Sequence, residues 1–303
     1  MGDNQIDESS KSNYDFEFVD TYSARSTYSL IESGIYLGEL KVARNVRKLQ
    51  KLNVQVVLTV MDDPLRLTYQ HDLIEYYYIK AFDVPFEDII MKFPYGFYVM
   101  NQARQKDKTI FVHCRAGVSR SATVLISYLM KLHQISAQQA YNIVKRKRDI
   151  RPNDGFVEQL FIYEKTNYQL DGSNRELRLV LFNNLIHNMK FSYGFKDDYN
   201  MKLIDKTFDS YLAKLNIVEQ GYVDKILRGK LFICTVCNFE LFNEINIINY
   251  PQPNKSQNLC KWYFVEPMAW MKGNLRPEIG HPIKCPQCFI KLGDTQWQKY
   301  KCD

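Results

Sequence analysis

The stretch FVHCRAGVSRSATV, residues 111–124, limits what this chain can fold into more than any other. Residues 109–112 are apolar or β-prone and read as a short buried strand that delivers Cys114. The apolar run 121–132 reads as a helix, and only Arg115, Ala116, Gly117, Val118, Ser119 and Arg120 lie between them to turn the chain. Strand, tight loop and helix start, in that order, aim free backbone N–H groups at one point. The helix dipole adds partial positive charge there. A concave run of N–H groups of this kind binds anionic oxygens.

Cys114 at the mouth of such a loop reads as a nucleophile, because helix N-termini and nearby cations lower a thiol's pKa by several units. Arg120 supplies the cation, and its planar fork suits two phosphate oxygens at once. Gly117 permits a turn where a Cβ would collide. Ser121 can donate a hydrogen bond to the Cys114 sulfur as it departs. The bland alternative is a buried Cys before a core helix. Against it stand five specified positions within nine residues: His113, Cys114, Gly117, Arg120 and Ser121. They resemble the H-C-x-x-G-x-x-R-S/T signature of the protein tyrosine phosphatase superfamily. Loop residues 115–120 are then the expected phosphate-binding residues. His113, behind Cys114 on the strand, is expected to orient the loop rather than to move protons.

The rest of the first half reads as alternating strands and helices. Residues 34–38 form a strand, 39–52 an amphipathic helix, 54–60 (VQVVLTV) and 76–82 (YYYIKAF) two more strands, and 97–105 a helix that Pro94 starts or kinks. Ser136 is a plausible N-cap of one further helix, and Asn153 or Asp154 of the next. Such alternation implies an α/β domain with a largely parallel central sheet flanked by helices. Active sites of such sheets lie at the carboxyl ends of strands, where Asp83 and Cys114 both fall. Residues 29–170 resemble a dual specificity phosphatase catalytic domain, through IYLGELKVA, IKAFDVPFED, RSATVLISYLM and RPNDGFVEQL. The resemblance marks Asp83, thirty-one residues before Cys114, as general acid. Asp88 is its rival, although its neighbours read as a helix start, where Asp is favoured without any catalytic role. The resemblance also implies a shallow pocket that admits phosphoserine and phosphothreonine beside phosphotyrosine. No Lys lies between Cys114 and Arg120, which fits a protein rather than a lipid phosphatase. The tract 145–151 carries five basic residues in seven, either a solvated helix end or a guide for phosphorylated substrates.

Residues 1–25 hold six acidic against two basic residues and read as a solvated disordered arm, in which Phe16, Phe18 and Tyr22 could dock at no identifiable place. The expected organisation is this arm, a catalytic domain at 26–172, a helical connector at 173–229 and a small Cys-rich zinc domain at 230–303. Cys234 and Cys237 form one CxxC knuckle and Cys285 and Cys288 another, with forty-seven residues between them. Two knuckles complete a tetrahedral Cys₄ site, a closed structural zinc rather than a catalytic one. Together with CKWYFVEPMAWM, residues 260–271, and KLGDTQW, residues 291–297, the knuckles resemble the tail domain of one dual specificity phosphatase branch. That resemblance implies a role in maturation of the large ribosomal subunit, hence pre-ribosomal particles as partners. The branch carries ligands for a second zinc. Here only Cys260 and Cys302 remain, with His281 a poor third, so one zinc is expected. The aromatics around Trp262 and Trp270 read as core rather than interface.

Composition excludes several classes. Hydrophobic residues at 46% with 21 Tyr and 18 Phe support a sizeable core, not a disordered protein. A net charge of +6 does not demand a nucleic-acid partner. Seven Cys, four of them in CxxC pairs, point to metal in a reducing compartment rather than to disulfides. With no signal-like N-terminus and no long apolar stretch, the expectation is an intracellular protein, cytoplasmic and nuclear, with no membrane partner. The function expected is hydrolysis of phosphorylated proteins through a phosphocysteine, with no cofactor for catalysis. The alternative is an assembly factor acting through its zinc domain independently of catalysis. An RNA 5′-phosphatase built on the same loop suits the basic tract alone.

Overall fold

The computed structural model describes residue 16 and residues 26–170, 174–193, 209–211, 213, 230–249, 263–271 and 280–295. The chain divides into two compact units, Met1–Gln169 and Leu170–Asp303.

The first unit is built on a five-stranded sheet: β1 (Tyr28–Glu32), β2 (Ile35–Glu39), β3 (Val54–Met61), β4 (Glu75–Lys80) and β5 (Thr109–Cys114). Its order is β1-β2-β5-β3-β4. β5 pairs in parallel with β2 and β3, and β3 with β4, while β1 closes the edge as an antiparallel hairpin arm. The largely parallel sheet expected from the sequence is present. Val54 to Met61 are buried save Gln55, a near-continuous apolar run that suits a strand covered on both faces.

Helices α1 (Leu40–Ala43), α2 (Val46–Lys51), α3 (Phe93–Gln105), α4 (Arg120–His133), α5 (Ala137–Lys147) and α6 (Asp154–Lys165) complete the unit. The single helix expected over 39–52 is broken. Asn45 leaves the helical conformation and its side chain accepts from Lys48 N at 3.0 Å, so it restarts the chain as the cap of α2. Ser136 caps α5 through a reciprocal capping box with Gln139, and Asn153 caps α6 by accepting from Phe156 N. Residues 120–130 of α4 are all buried, which makes α4 the central helix, held against α3, α5 and α6. A second apolar cluster joins Val42, Leu49, Val57, Ile74 and Phe111 under α1 and α2.

The second unit contains α7 (Arg175–Tyr193) and the strand pairs β6 (Leu231–Ile233) with β7 (Glu240–Asn243), β8 (Ile247–Asn249) with β9 (Phe264–Val265), and β10 (Pro282–Lys284) with β11 (Lys291–Asp294). Arg178 of α7 forms an ion pair with Glu266, which follows β9; the two are 5% and 3% exposed. Glu266 also accepts from Asn246 Nδ2 at 2.6 Å. A buried charge pair of this kind sets which elements meet more than it adds stability. Glu266 is the acid of the YFVEPMAW stretch, so part of that sequence serves to fasten α7. Trp270 is partly buried and donates its indole N–H to Leu241 O, a core role as expected. Trp262 lies outside the described residues.

Candidate active site

Cys114 ends β5 and Arg120 opens α4, so the sheet and the central helix fix the two ends of the loop between them. Gly117 lies at φ +65, and a Cβ there would sit 2.3 Å from Gly38 O, so only glycine fits against the end of β2. Four successive loop carbonyls point away from the concave side, each taking a donor from behind. Arg115 O accepts from Leu40 N at 3.2 Å and Val118 O from Arg151 N at 3.0 Å. Arg148 serves the two between them, Nη2 donating to Ala116 O at 2.8 Å and Nε to Gly117 O at 2.7 Å. Within a trans peptide the C=O and the next N–H point opposite ways. Turning the carbonyls outward therefore turns the following N–H groups inward, and Gly117 N already donates to Cys114 Sγ at 3.2 Å. The result is a positively polarised cup over the sulfur.

Cys114 is 2% exposed. Burial alone would raise its pKa. The Ser121 hydroxyl, the N–H groups of Ser121 and Val118, and the Arg120 charge overcome that penalty and hold the thiol below its ordinary value. Ser121 Oγ is buried with no partner elsewhere in the protein, so its hydroxyl is available to the Cys114 sulfur.

Arg120 is buried, and Nη1 donates to Asp62 Oδ1 at 3.1 Å and to Ala81 O at 3.3 Å. Its Nε lies 3.6 Å from Asp83 Oδ2 and makes no hydrogen bond, a buried donor with capacity left for an anion in the cup. Asp83 is held by two donors: Ser119 Oγ at 2.6 Å and Asn153 Nδ2 at 3.1 Å. Its segment rests on α6. A Cβ on Gly155 would lie 1.9 Å from Pro85 O, and Gln159 both accepts from Ile90 N and donates to Glu87 O. Asp88 is buried at the start of a one-turn 3₁₀ helix, Ile89–Lys92, as its residue type predicts. Of the two carboxylates weighed as general acid, Asp83 is thus the one beside Arg120.

Three participants were not read from the sequence. Asp62 follows β3 at the same carboxyl edge as Cys114. Its own backbone N–H, then Arg120, hold its carboxyl below the ordinary range against desolvation. Asn153 was read as a helix cap only, and its Nδ2 also reaches Asp83. Arg148 was one charge in a basic run read as solvated or as a substrate guide, and it is 5% exposed behind the loop. Lys145 is likewise buried, donating to Asp149 Oδ1 at 2.6 Å and Ile150 O at 3.2 Å. Only Arg146, Lys147 and Arg151 of that run face solvent.

In the second unit the Sγ atoms of Cys234, Cys237, Cys285 and Cys288 lie within 4.8 Å of one another, with Cys234–Cys288 at 3.6 Å and Cys237–Cys285 at 3.5 Å. Tetrahedral Zn–S bonds of about 2.3 Å require sulfurs about 3.8 Å apart, so the four fit zinc. Both knuckles close alike: Asn238 N donates to Cys234 O and Phe289 N to Cys285 O, with Asn238 and Phe289 each at φ 60. The N–H groups of Val236 and Cys237 bring the Cys234 thiol down to about 6. Cys260 and Cys302 lie outside the described residues.

His113 is fully buried, with Nε2 2.9 Å from Thr59 Oγ1 and Nδ1 3.2 Å from Cys114 O. Burial lowers its pKa from 6.5 to about 4, so it is neutral near pH 7. Between those two values the unfolded chain binds a proton on this residue that the folded chain refuses. Stability is therefore full above about 6.5 and falls as the pH drops towards about 4. Urea midpoints at pH 7 and pH 5 should differ more for the wild type than for His113→Asn; equal differences would contradict this.

The model of the "Dual specificity phosphatase, catalytic domain" family matches residues 35–166, which span the sheet from β2 and the whole loop site. Dual specificity protein phosphatase 12 of Mus musculus is 26% identical over 292 residues, covering 90% of this chain and 82% of that one. Tyrosine-protein phosphatase yvh1 of Schizosaccharomyces pombe is 27% identical over 281 residues, with 90% and 78% covered. Dual specificity protein phosphatase 1 of Arabidopsis thaliana is 36% identical over 147 residues, 48% of this chain and 73% of its own. A match at that level over most of a phosphatase, on the elements that build the cup around Cys114, settles the family: this chain belongs to the dual specificity phosphatases and is a protein phosphatase.

Proposed function

We propose that Cys114 is the nucleophile, Arg120 the phosphate clamp and Asp83 the general acid in hydrolysis of phosphoprotein monoesters. What chiefly supports this reading is the set of outward-turned carbonyls of residues 115–118, which points the loop N–H groups at the place a phosphoryl group would occupy above Cys114. In the first step the thiolate attacks phosphorus, forming an S–P bond as the P–O bond to the side-chain oxygen breaks. Asp83 gives its proton to that oxygen, and the dephosphorylated hydroxyl leaves. In the second step Asp83, now a carboxylate, takes a proton from water while the water oxygen attacks phosphorus. The S–P bond breaks, inorganic phosphate leaves and the thiolate returns, with Ser121 donating to it. The inward N–H groups and Arg120 hold the equatorial oxygens as charge develops. Ser119 and Asn153 aim Asp83, and Asp62 and Arg148 position Arg120 and the loop.

Phosphotyrosine, phosphoserine and phosphothreonine are the expected substrates, from the resemblance to dual specificity catalytic domains. The same resemblance, carried by YFVEPMAW and the knuckles, supports pre-ribosomal particles as a docking partner, and the paired CxxC cysteines support a reducing compartment, cytoplasmic and nuclear. Among the described residues no helix is long and apolar enough to cross a membrane.

Cys114→Ser should abolish hydrolysis of an aryl phosphate. Asp83→Asn should slow it by roughly 10²–10⁴ and remove the loss of activity at high pH that a protonated acid produces. The Asp83→Asn deficit should shrink for esters with good leaving groups. If Asp88→Asn gives this pattern and Asp83→Asn does not, the acid is misassigned.

Cys234, Cys237, Cys285 and Cys288 would hold one zinc, whose closed Cys₄ shell supplies structure rather than chemistry. Native mass spectrometry should find one zinc per chain, and chelation should leave aryl phosphate hydrolysis intact. Two retained zinc ions would instead point to Cys260 and Cys302 as further ligands.

A further inference from the structure

Phe16 lies in the acidic N-terminal stretch, yet it is only 5% exposed. Its ring stacks on Tyr141 of α5, centroids 4.1 Å apart and planes 12° apart, and tilts against Phe161 of α6 at 5.2 Å. With Phe16 stacked on it, Tyr141 is 1% exposed, so this ring from outside the two helices covers it. Within seven residues around Phe16, from Tyr14 to Asp20, the sequence YDFEFVD carries Asp15, Glu17 and Asp20 and no cation. Arg151, just beyond α5, is exposed, and the charges of Asp149 and then Arg151 both act on Tyr141, that of Asp149 being paired with Lys145. The ring of Phe16 fits the slot, and Arg151 beside it offers a positive charge to the acidic sequence on either side of that ring.

We propose that the Tyr141–Phe161 slot is a docking site for a short peptide with a Phe between acidic residues, and that its occupant is this chain's own segment around Phe16. The second attachment fits such an arrangement. Arg148 Nη1 donates to Ser26 O at 2.7 Å, and Arg148 directly follows the last turn of α5, about 10 Å along from Tyr141. Nine residues lie between Phe16 and Ser26, and the ten steps from one to the other can span roughly 30 Å, so the segment can leave the slot with the chain still held at Ser26. Recognition rests on one ring and a few charges, which makes each contact weak in trans and effective in cis, where the local concentration is in the millimolar range. A partner protein bearing the same kind of segment would have to displace this one. The slot also shares α5 with Arg148, the residue that holds two of the loop carbonyls.

The probe is a fluorescein-labelled peptide of residues 12–21, titrated by anisotropy into the full chain. Phe16→Ala/Phe18→Ala, which empties the slot and denies it the neighbouring ring, should bind the peptide at least tenfold more tightly than wild type. Adding Phe161→Ser to that variant should remove the binding. A peptide with both Phe replaced by Ala should not bind, nor should one with Asp15, Glu17 and Asp20 changed to Lys, and these two controls do not depend on how any protein variant folds. Equal binding by the wild type and the emptied variant would overturn the proposal, as would binding of the Ala peptide. Concentration-dependent dimerisation of the wild type that Phe16→Ala/Phe18→Ala abolishes would also overturn it, because the segment would then occupy the slot of a second copy.

Discussion

Everything at the active site depends on where four carbonyl groups point. A five-residue loop between a buried strand and a buried helix has more polar groups than its own backbone can pair. Here the carbonyls of residues 115–118 are satisfied from behind by Leu40 N, Arg148 and Arg151 N. The N–H groups are thereby committed to the front. The Ser121 hydroxyl, then the N–H groups of Ser121 and Val118 and the Arg120 charge, lower the Cys114 pKa against a burial penalty that would otherwise make it an inert core thiol. The division of donors and acceptors explains the demands on neighbouring positions: glycine at 117 because the loop rests on Gly38 O, and a guanidinium at 148 because two carbonyls must be served at once.

The acid side of the site is arranged by a different element. Asp83 comes from the segment after β4, and its position is determined by contacts to α6: the Pro85–Gly155 approach, Gln159 and Asn153. Ser119 joins the two halves, since it sits in the loop and donates to Asp83 at 2.6 Å. Arg120 stands between the carboxylates of Asp62 and Asp83, with its Nε left free. The clamp is held in place before substrate arrives, which is what makes electrostatic stabilisation effective.

The parts legible in the sequence were those whose signal is local. The strand–loop–helix around Cys114, the alternation of strands and helices, the caps Ser136 and Asn153, and the two knuckles each follow from spacing within a few residues. What escaped depends on contacts distant in sequence. Arg148 looked like its neighbours Arg146 and Lys147, and only the packing of α5 behind the loop separates them. Asp62 is an ordinary acid after a strand until β3 and β5 are known to be adjacent and parallel. The break at Asn45 shows a side chain outcompeting helix continuation, which a step-of-three apolar pattern does not reveal. Phe16 sits in a stretch whose composition reads as solvated, and composition carries no sign of the slot that its own ring meets.

The central claim is that the polarised cup makes Cys114 a covalent catalyst. Rapid acid quench of the full chain during turnover of a ³²P-labelled phosphopeptide, followed by peptide mapping, tests it most directly. A burst of label approaching one phosphate per chain on the peptide containing Cys114 is the expected result. Steady release of phosphate with no label on Cys114 at any time would contradict it.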